Sequence, residues 1–127
     1  MKALALAVVA AAALAFSDSS LAAPRNVLVE VLINDQGLVL GLYQNTQVAD
    51  ISSLATIPLL RHGDDVHFVV INRGKKAHDF TIFGKATGTV KPGGNARFEK
   101  AGVKRGRYPY GSTTDKSKPF HGSLTVQ

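Results

Sequence analysis

The chain has 127 residues, a formal net charge of +6 and no cysteine. Without cysteine it can form neither a disulfide framework nor a thiolate metal site, so an apolar core must hold the fold by itself. The positive balance favours acidic partners or anionic surfaces. Six Phe, three Tyr and no recognisable nucleic-acid motif argue against nucleic acid as a target.

Residues 1–22 read as an export signal. Lys2 supplies a positive start, Ala3–Phe16 is an unbroken apolar run, and Ser20-Leu21-Ala22 offers the small residues that a signal peptidase reads. Cleavage after Ala22 or Ala23 is expected, leaving one domain over 23–127, about 104 residues long. The apolar run is too short to span a bilayer, so no transmembrane segment is expected in the mature chain. The expected destination is the periplasm. Lys2 and Asp18 leave together, so the charge of +6 stays with the domain.

Beyond the signal, strand patterns dominate. Asn26–Asn34 is rich in β-branched residues, with Glu30 its one charge. Gln47–Leu60 carries Val48, Ile51, Leu54 and Ala55 at helical spacing and predicts a short helix or an irregular crossover. Val66–Asn72, His78–Phe83, Ala96–Lys100, Arg107–Tyr110 and Ser123–Gln127 follow as strands, punctuated by Gly, Pro, Asn and Asp. Lys91-Pro92-Gly93-Gly94 predicts a tight turn, because Pro fixes one φ and Gly accepts a positive one. Short strands separated in this way, without long helical periodicity, predict an all-β antiparallel sandwich.

The serial order of several short motifs is similar to that of the cupredoxins, the β-sandwich family that holds blue copper. Gly63-Asp64-Asp65-Val66-His67-Phe68 resembles the family's G-D-x-V-x-F start of a strand. Asn72, a short loop and His78-Asp79-Phe80 resemble the segment that carries the first copper-ligating His. Val90-Lys91-Pro92-Gly93 resembles the V-x-P-G turn, and Gly106-Arg107-Tyr108-Pro109-Tyr110 the strand leading to the ligand loop. The resemblance runs from about Leu59 onward and implies a Greek-key antiparallel β-sandwich.

In that family the last loop supplies a Cys, a second His and a Met, spaced as C-x2-H-x4-M. Anchoring on Gly122 and Ser123–Gln127 puts Ser112 at the Cys position, Asp115 at the His position and Phe120 at the Met position. Among the four ligand positions only His78 keeps a family ligand. A type 1 site needs soft sulfur donation to stabilise Cu(I), which a serine hydroxyl cannot provide. Phe120 is expected to close the site, packed inward near Phe80 and Tyr110. Asp115 offers a hard oxygen suited to Cu(II). His121 follows Phe120, and strand alternation would turn it away from His78; a different loop course would instead give a His78, His121 and Asp115 set for loosely held Cu(II) or Zn(II). The plainer reading makes His78 a half-buried histidine hydrogen-bonded to the loop. His62 and His67 read as surface residues.

The resemblance also brings the Asn72–His78 loop and the Gly111–Phe120 loop to one end of the sandwich. Arg73, Lys75 and Lys76 would then stand beside Lys116 and Lys118 as a basic rim, against the plainer reading of ordinary wet loops. No nucleophile–base set, phosphate loop or carboxylate pair suggests an enzyme. The sequence therefore predicts an exported cupredoxin-fold binding or accessory protein without type 1 copper, touching an acidic partner through the end around His78. The alternative is a periplasmic copper-binding protein for storage or delivery, using His78 with His121 or Asp115. An electron carrier is the third reading, requiring ligands from a partner chain.

Overall fold

The computed structural model describes residues 24–45 and 54–127. The expected signal segment lies outside the described residues, as does the first half, 47–53, of the segment expected to form a short helix or an irregular crossover.

Among the described residues nine strands form two sheets: β1 (Asn26–Asn34), β2 (Gly37–Asn45), β3 (Leu54–Thr56), β4 (Asp65–Asn72), β5 (Thr81–Ile82), β6 (Lys85–Ala86), β7 (Asn95–Lys100), β8 (Gly106–Gly111) and β9 (His121–Val126). Five run in the order β3-β2-β1-β4-β7 and four in the order β6-β5-β8-β9. Strand alternation in β1 turns Val27, Val29, Val31 and Ile33 inward, all at most 1% exposed. The β1–β4 register sets Val27 beside Val66, Val29 beside Phe68 and Val31 beside Val70, so the inward rows of both strands coincide. Phe68 then stacks on Phe98 at 4.5 Å between ring centroids. The second sheet closes over them with Phe80, Ile82, Leu124 and Val126. Burying each such side chain contributes about 1.5–3 kcal/mol, which is how a chain without disulfides forms a stable core.

The expected antiparallel sandwich holds, with one qualification: β1 and β4 pair in parallel, making the larger sheet mixed. Sequence reasoning did not anticipate β2, and the expected strand His78–Phe83 contracts to Thr81–Ile82. His78 instead makes an isolated bridge to Val90. Leu54–Thr56, in the segment expected to form a short helix or an irregular crossover, is a strand on β2. The turn at Lys91–Gly94 forms as expected, with Gly93 at φ 78° and the Gly94 N–H donating to the Lys91 carbonyl at 2.9 Å.

Arg25 anchors the end away from His78. Its guanidinium donates to both Asp64 oxygens, at 3.0 and 2.8 Å, and Asp64 is 2% exposed. The Arg61 N–H donates to the same carboxylate at 2.8 Å. This accounts for the Asp of the G-D-x-V-x-F motif: a buried charge persists where a bidentate partner and further donors satisfy it.

Candidate functional site

Asn72, fully buried at the end of β4, shapes the loop that presents His78. Its amide donates to the carbonyls of Lys76 and Val90, each at 2.8 Å, and its side-chain oxygen accepts from the Gly74 N–H at 2.8 Å. The β1–β2 turn packs against this loop. There the Asp35 carboxylate accepts from the backbone N–H groups of Lys75 at 2.8 Å and Lys76 at 3.1 Å. Glycine at position 74 permits this approach, because a Cβ there would collide with the Asp35 carboxylate.

These elements leave the His78 imidazole between two carboxylates. Nε2 lies 2.9 Å from Asp35 Oδ1 and Nδ1 lies 2.9 Å from Asp115 Oδ2, with the side chain 2% exposed. An ionised carboxylate only accepts, so both contacts are satisfied together only when both ring nitrogens carry protons. Burial pushes the His78 pKa down, but hydrogen bonds to Asp35 and Asp115 and their charges outweigh it and raise the pKa above 6.5. Asp35 is lowered in turn to about 2, chiefly by its bond with His78 and then by the Lys75 N–H. The group is an ion-paired triad that ties three loops together.

Beside it, Ser112, the serine that the resemblance sets against the thiolate, belongs to a second knot. Ser112, 5% exposed, donates to Asp79 Oδ1 at 2.6 Å and accepts from the N–H groups of Thr114 at 3.1 Å and Asp115 at 3.0 Å. The Thr113 N–H and hydroxyl also donate to Asp79. Burial raises the Asp79 pKa, but these donors, Ser112 first, more than offset it and leave the pKa below 3.8. Phe120, 4% exposed, packs inward as expected, and its ring lies against His78 at 5.4 Å between centroids. His121 is exposed and donates from Nε2 to the Asp115 carbonyl at 2.7 Å.

The four positions that the sequence resemblance sets against copper ligands thus hold an imidazole with both nitrogens engaged, a hydroxyl engaged by Asp79, a carboxylate paired to the imidazole, and a phenyl ring. This donor set does not fit a type 1 copper ion. Of His78, His121 and Asp115, the structure joins His78 to Asp115 side chain to side chain, and His121 only to the Asp115 main chain. Among the described residues, no group of three or more His, Cys, Asp or Glu side chains has the geometry to hold a metal. His62 is exposed; His67 is partly exposed and lies 3.4 Å from Glu99 on the sheet surface. The basic residues Arg73, Lys75, Lys76, Lys116 and Lys118 are all exposed, on the two loops that the triad joins. Sequence reasoning missed Asp35, whose only local signal was a turn between two apolar runs.

The two-sheet architecture is shared with domains of copper enzymes. A copper nitrite reductase from Nitrosomonas europaea aligns at a TM-score of 0.51 and 17% identity, over 80% of this chain and 41% of its own. The fold is cupredoxin-like. A copper-containing nitrite reductase from Thermus scotoductus SA-01 gives 0.44 and 17%, over 83% and 27%. The multicopper oxidase mgLAC gives 0.46 and 15%, over 80% and 38%. This chain spans less than half the length of each. At such identities the likeness concerns the fold alone. No family model matches the sequence, and no curated protein matches it.

Proposed function

We propose that the chain is an exported, non-catalytic binding or accessory protein that docks an acidic protein partner with the loop end around His78. One observation carries this reading: five exposed cations stand on two loops that the Asp35–His78–Asp115 triad locks together. Among the described residues none of the five forms a salt bridge. Held in place beforehand, such charges lose less conformational entropy when a partner arrives. Their attraction steers encounter and fades as salt screens it over about 10 Å at 0.1 M ionic strength.

The test uses a short polyglutamate peptide as the acidic probe. Native protein should bind it with an affinity that falls steeply with salt. Reversing Lys75, Lys76, Lys116 and Lys118 to Glu should abolish binding and leave the unfolding temperature nearly unchanged. Binding that ignores both salt and the reversals would reduce the rim to ordinary solvated loops.

The alternative is a periplasmic Cu(II)-binding protein for storage or delivery. It draws on Asp115, which meets His78 with its side chain and His121 with its main chain. Copper would have to displace a proton from His78 and break a 2.9 Å carboxylate contact. Cu(II) affinity on this reading is modest, rises with pH and vanishes in His78→Ala, while the charge reversals leave it intact.

A further inference from the structure

At the far end of the sandwich from His78 lies a groove of about 390 Å³ that neither reading uses. Its apolar wall is Phe83, Tyr108 and Pro109, and its charged side chains are Lys100 and Lys104. Strand direction fixes the distance: β8 enters the sandwich at Gly106, beside this groove, and reaches the His78 end only at Gly111.

The groove rests on an uncommon piece of backbone. Ile82 pairs with Lys85, so Phe83 and Gly84 form a two-residue hairpin loop, with φ 56° and 72°. Positive φ at both loop positions is the type I′ turn, which favours Asn or Gly first. Phe83 is the one described non-glycine residue with positive φ. Crowding of Cβ against the carbonyl disfavours an aromatic in that conformation, and such local strain gathers at ligand sites. The turn sets the Phe83 ring 4.5 Å from Tyr108, so that the two form the aromatic floor, and 6.1 Å from the buried Phe68 beneath it. The Tyr108 hydroxyl donates to the Lys104 carbonyl at 2.7 Å, holding the lysine loop above that floor. On the same loop the Gly102 N–H donates to Asp65 Oδ1 at 2.8 Å, so that nearby carboxylate is already engaged.

No carboxylate lines the groove, and its two ammonium groups form no salt bridge among the described residues. Its volume falls within the range of small-molecule sites, about 300–1,000 Å³. We propose that this groove binds a small amphipathic organic anion. The apolar body lies on Phe83 and Tyr108, and the carboxylate, sulfonate or phosphate meets Lys100 and Lys104.

Anilinonaphthalene sulfonate is the probe, phenylnaphthylamine its uncharged counterpart, and inorganic sulfate the anion without an apolar body. Native protein should bind the sulfonate saturably at one site, with fluorescence enhancement. Lys100→Gln with Lys104→Gln should weaken the sulfonate about tenfold and the uncharged dye by less than about twofold, since each exposed charge contact contributes little by itself. Phe83→Asn keeps a residue that tolerates positive φ, so the hairpin persists, and should weaken both dyes. Thermal unfolding of each variant verifies that it is folded. Reversing Lys75, Lys76, Lys116 and Lys118 should leave dye binding unchanged, separating this site from the docking rim. The proposal is overturned if native protein binds no sulfonate saturably, if either groove variant binds it as native protein does, or if sulfate alone displaces it at comparable concentration.

Discussion

The imidazole of His78 lies face to face with the phenyl ring of Phe120, centroids 5.4 Å apart and planes inclined by 24°. These are the first and last positions of the inferred copper-ligand set. Here they pack against each other, and the charge on the imidazole is balanced from its edges by Asp35 and Asp115.

Phe120 should therefore matter for stability. Truncating a buried Phe typically costs about 3–5 kcal/mol, and Phe120→Ala also bares one face of a paired imidazolium. Denaturant unfolding should place the loss in that range. A near-neutral result would contradict the buried position.

The triad predicts a stability maximum in mildly acidic solution. His78 has a raised pKa, so its contribution is complete below about 6.5, the unfolded value, and is lost as pH rises through the folded one. Asp35 is lowered from 3.8 to about 2, so its contribution is present above 3.8 and lost as pH falls toward 2. Asp79, also lowered, adds to the acid limb. Unfolding free energy should decline as pH rises above about 6.5 in the native protein, and much less in His78→Gln. Parallel curves for the two would remove His78 as the cause.

Asp79 holds the last loop through neutral donors. Asp79→Ala leaves the buried Ser112 hydroxyl without its acceptor, at about 1–3 kcal/mol for a buried group left unpaired, and frees the Thr113 N–H on the exposed loop. Hydrogen exchange should quicken at Thr113, Thr114 and Asp115, while amides of β1 and β4 stay protected. Uniform acceleration across the domain would mean that the loop and core open together.

Restoring the missing sulfur should not restore the colour of a blue copper protein. In Ser112→Cys the thiol would face the Asp79 carboxylate, His78 would still be bound at both nitrogens, and Phe120 would still lack a donor. Visible absorption of the Cu(II)-treated variant should lack an intense sulfur-to-copper band. A strong band would show that the loop rearranges around copper.

At the other end, Arg25→Ala should leave Asp64 buried without its cation. Breaking one side of a buried pair costs about 3–5 kcal/mol. Thermal unfolding of Arg25→Ala against Arg25→Lys separates charge from bidentate geometry, and the lysine variant should recover only part of the loss.

Local pattern carried much of the fold. β1 spans the residues that its β-branched alternation marks, because its inward face meets apolar neighbours in both sheets. β2 was hidden by Gly37 and Gly41, although Leu38, Leu40 and Leu42 alternate and pack against the core. The missing thiolate was legible from composition, whereas the fate of His78 was not. Its partner Asp35 lies 43 residues earlier, in a turn where a single charge reads as solvated. The sequence pattern places Phe83 in a strand, because nothing local announces an aromatic in a type I′ turn. Only tertiary packing against Phe68 and Tyr108 offsets that conformation.

The parallel union of β1 with β4 has a kinetic consequence. From Asn26 with Asp65 to Ile33 with Asn72, each residue of β1 that meets β4 pairs with one 39 positions later. A chain emerging in order can form the β1–β2 hairpin early, but that hairpin has no second layer and little stability alone. Closing the large loop to β4 must precede most of the core, and such high contact order slows folding. The first strand made is thus among the last to be completed, leaving a prolonged interval in which its valine-rich edge is available to a chaperone or to aggregation.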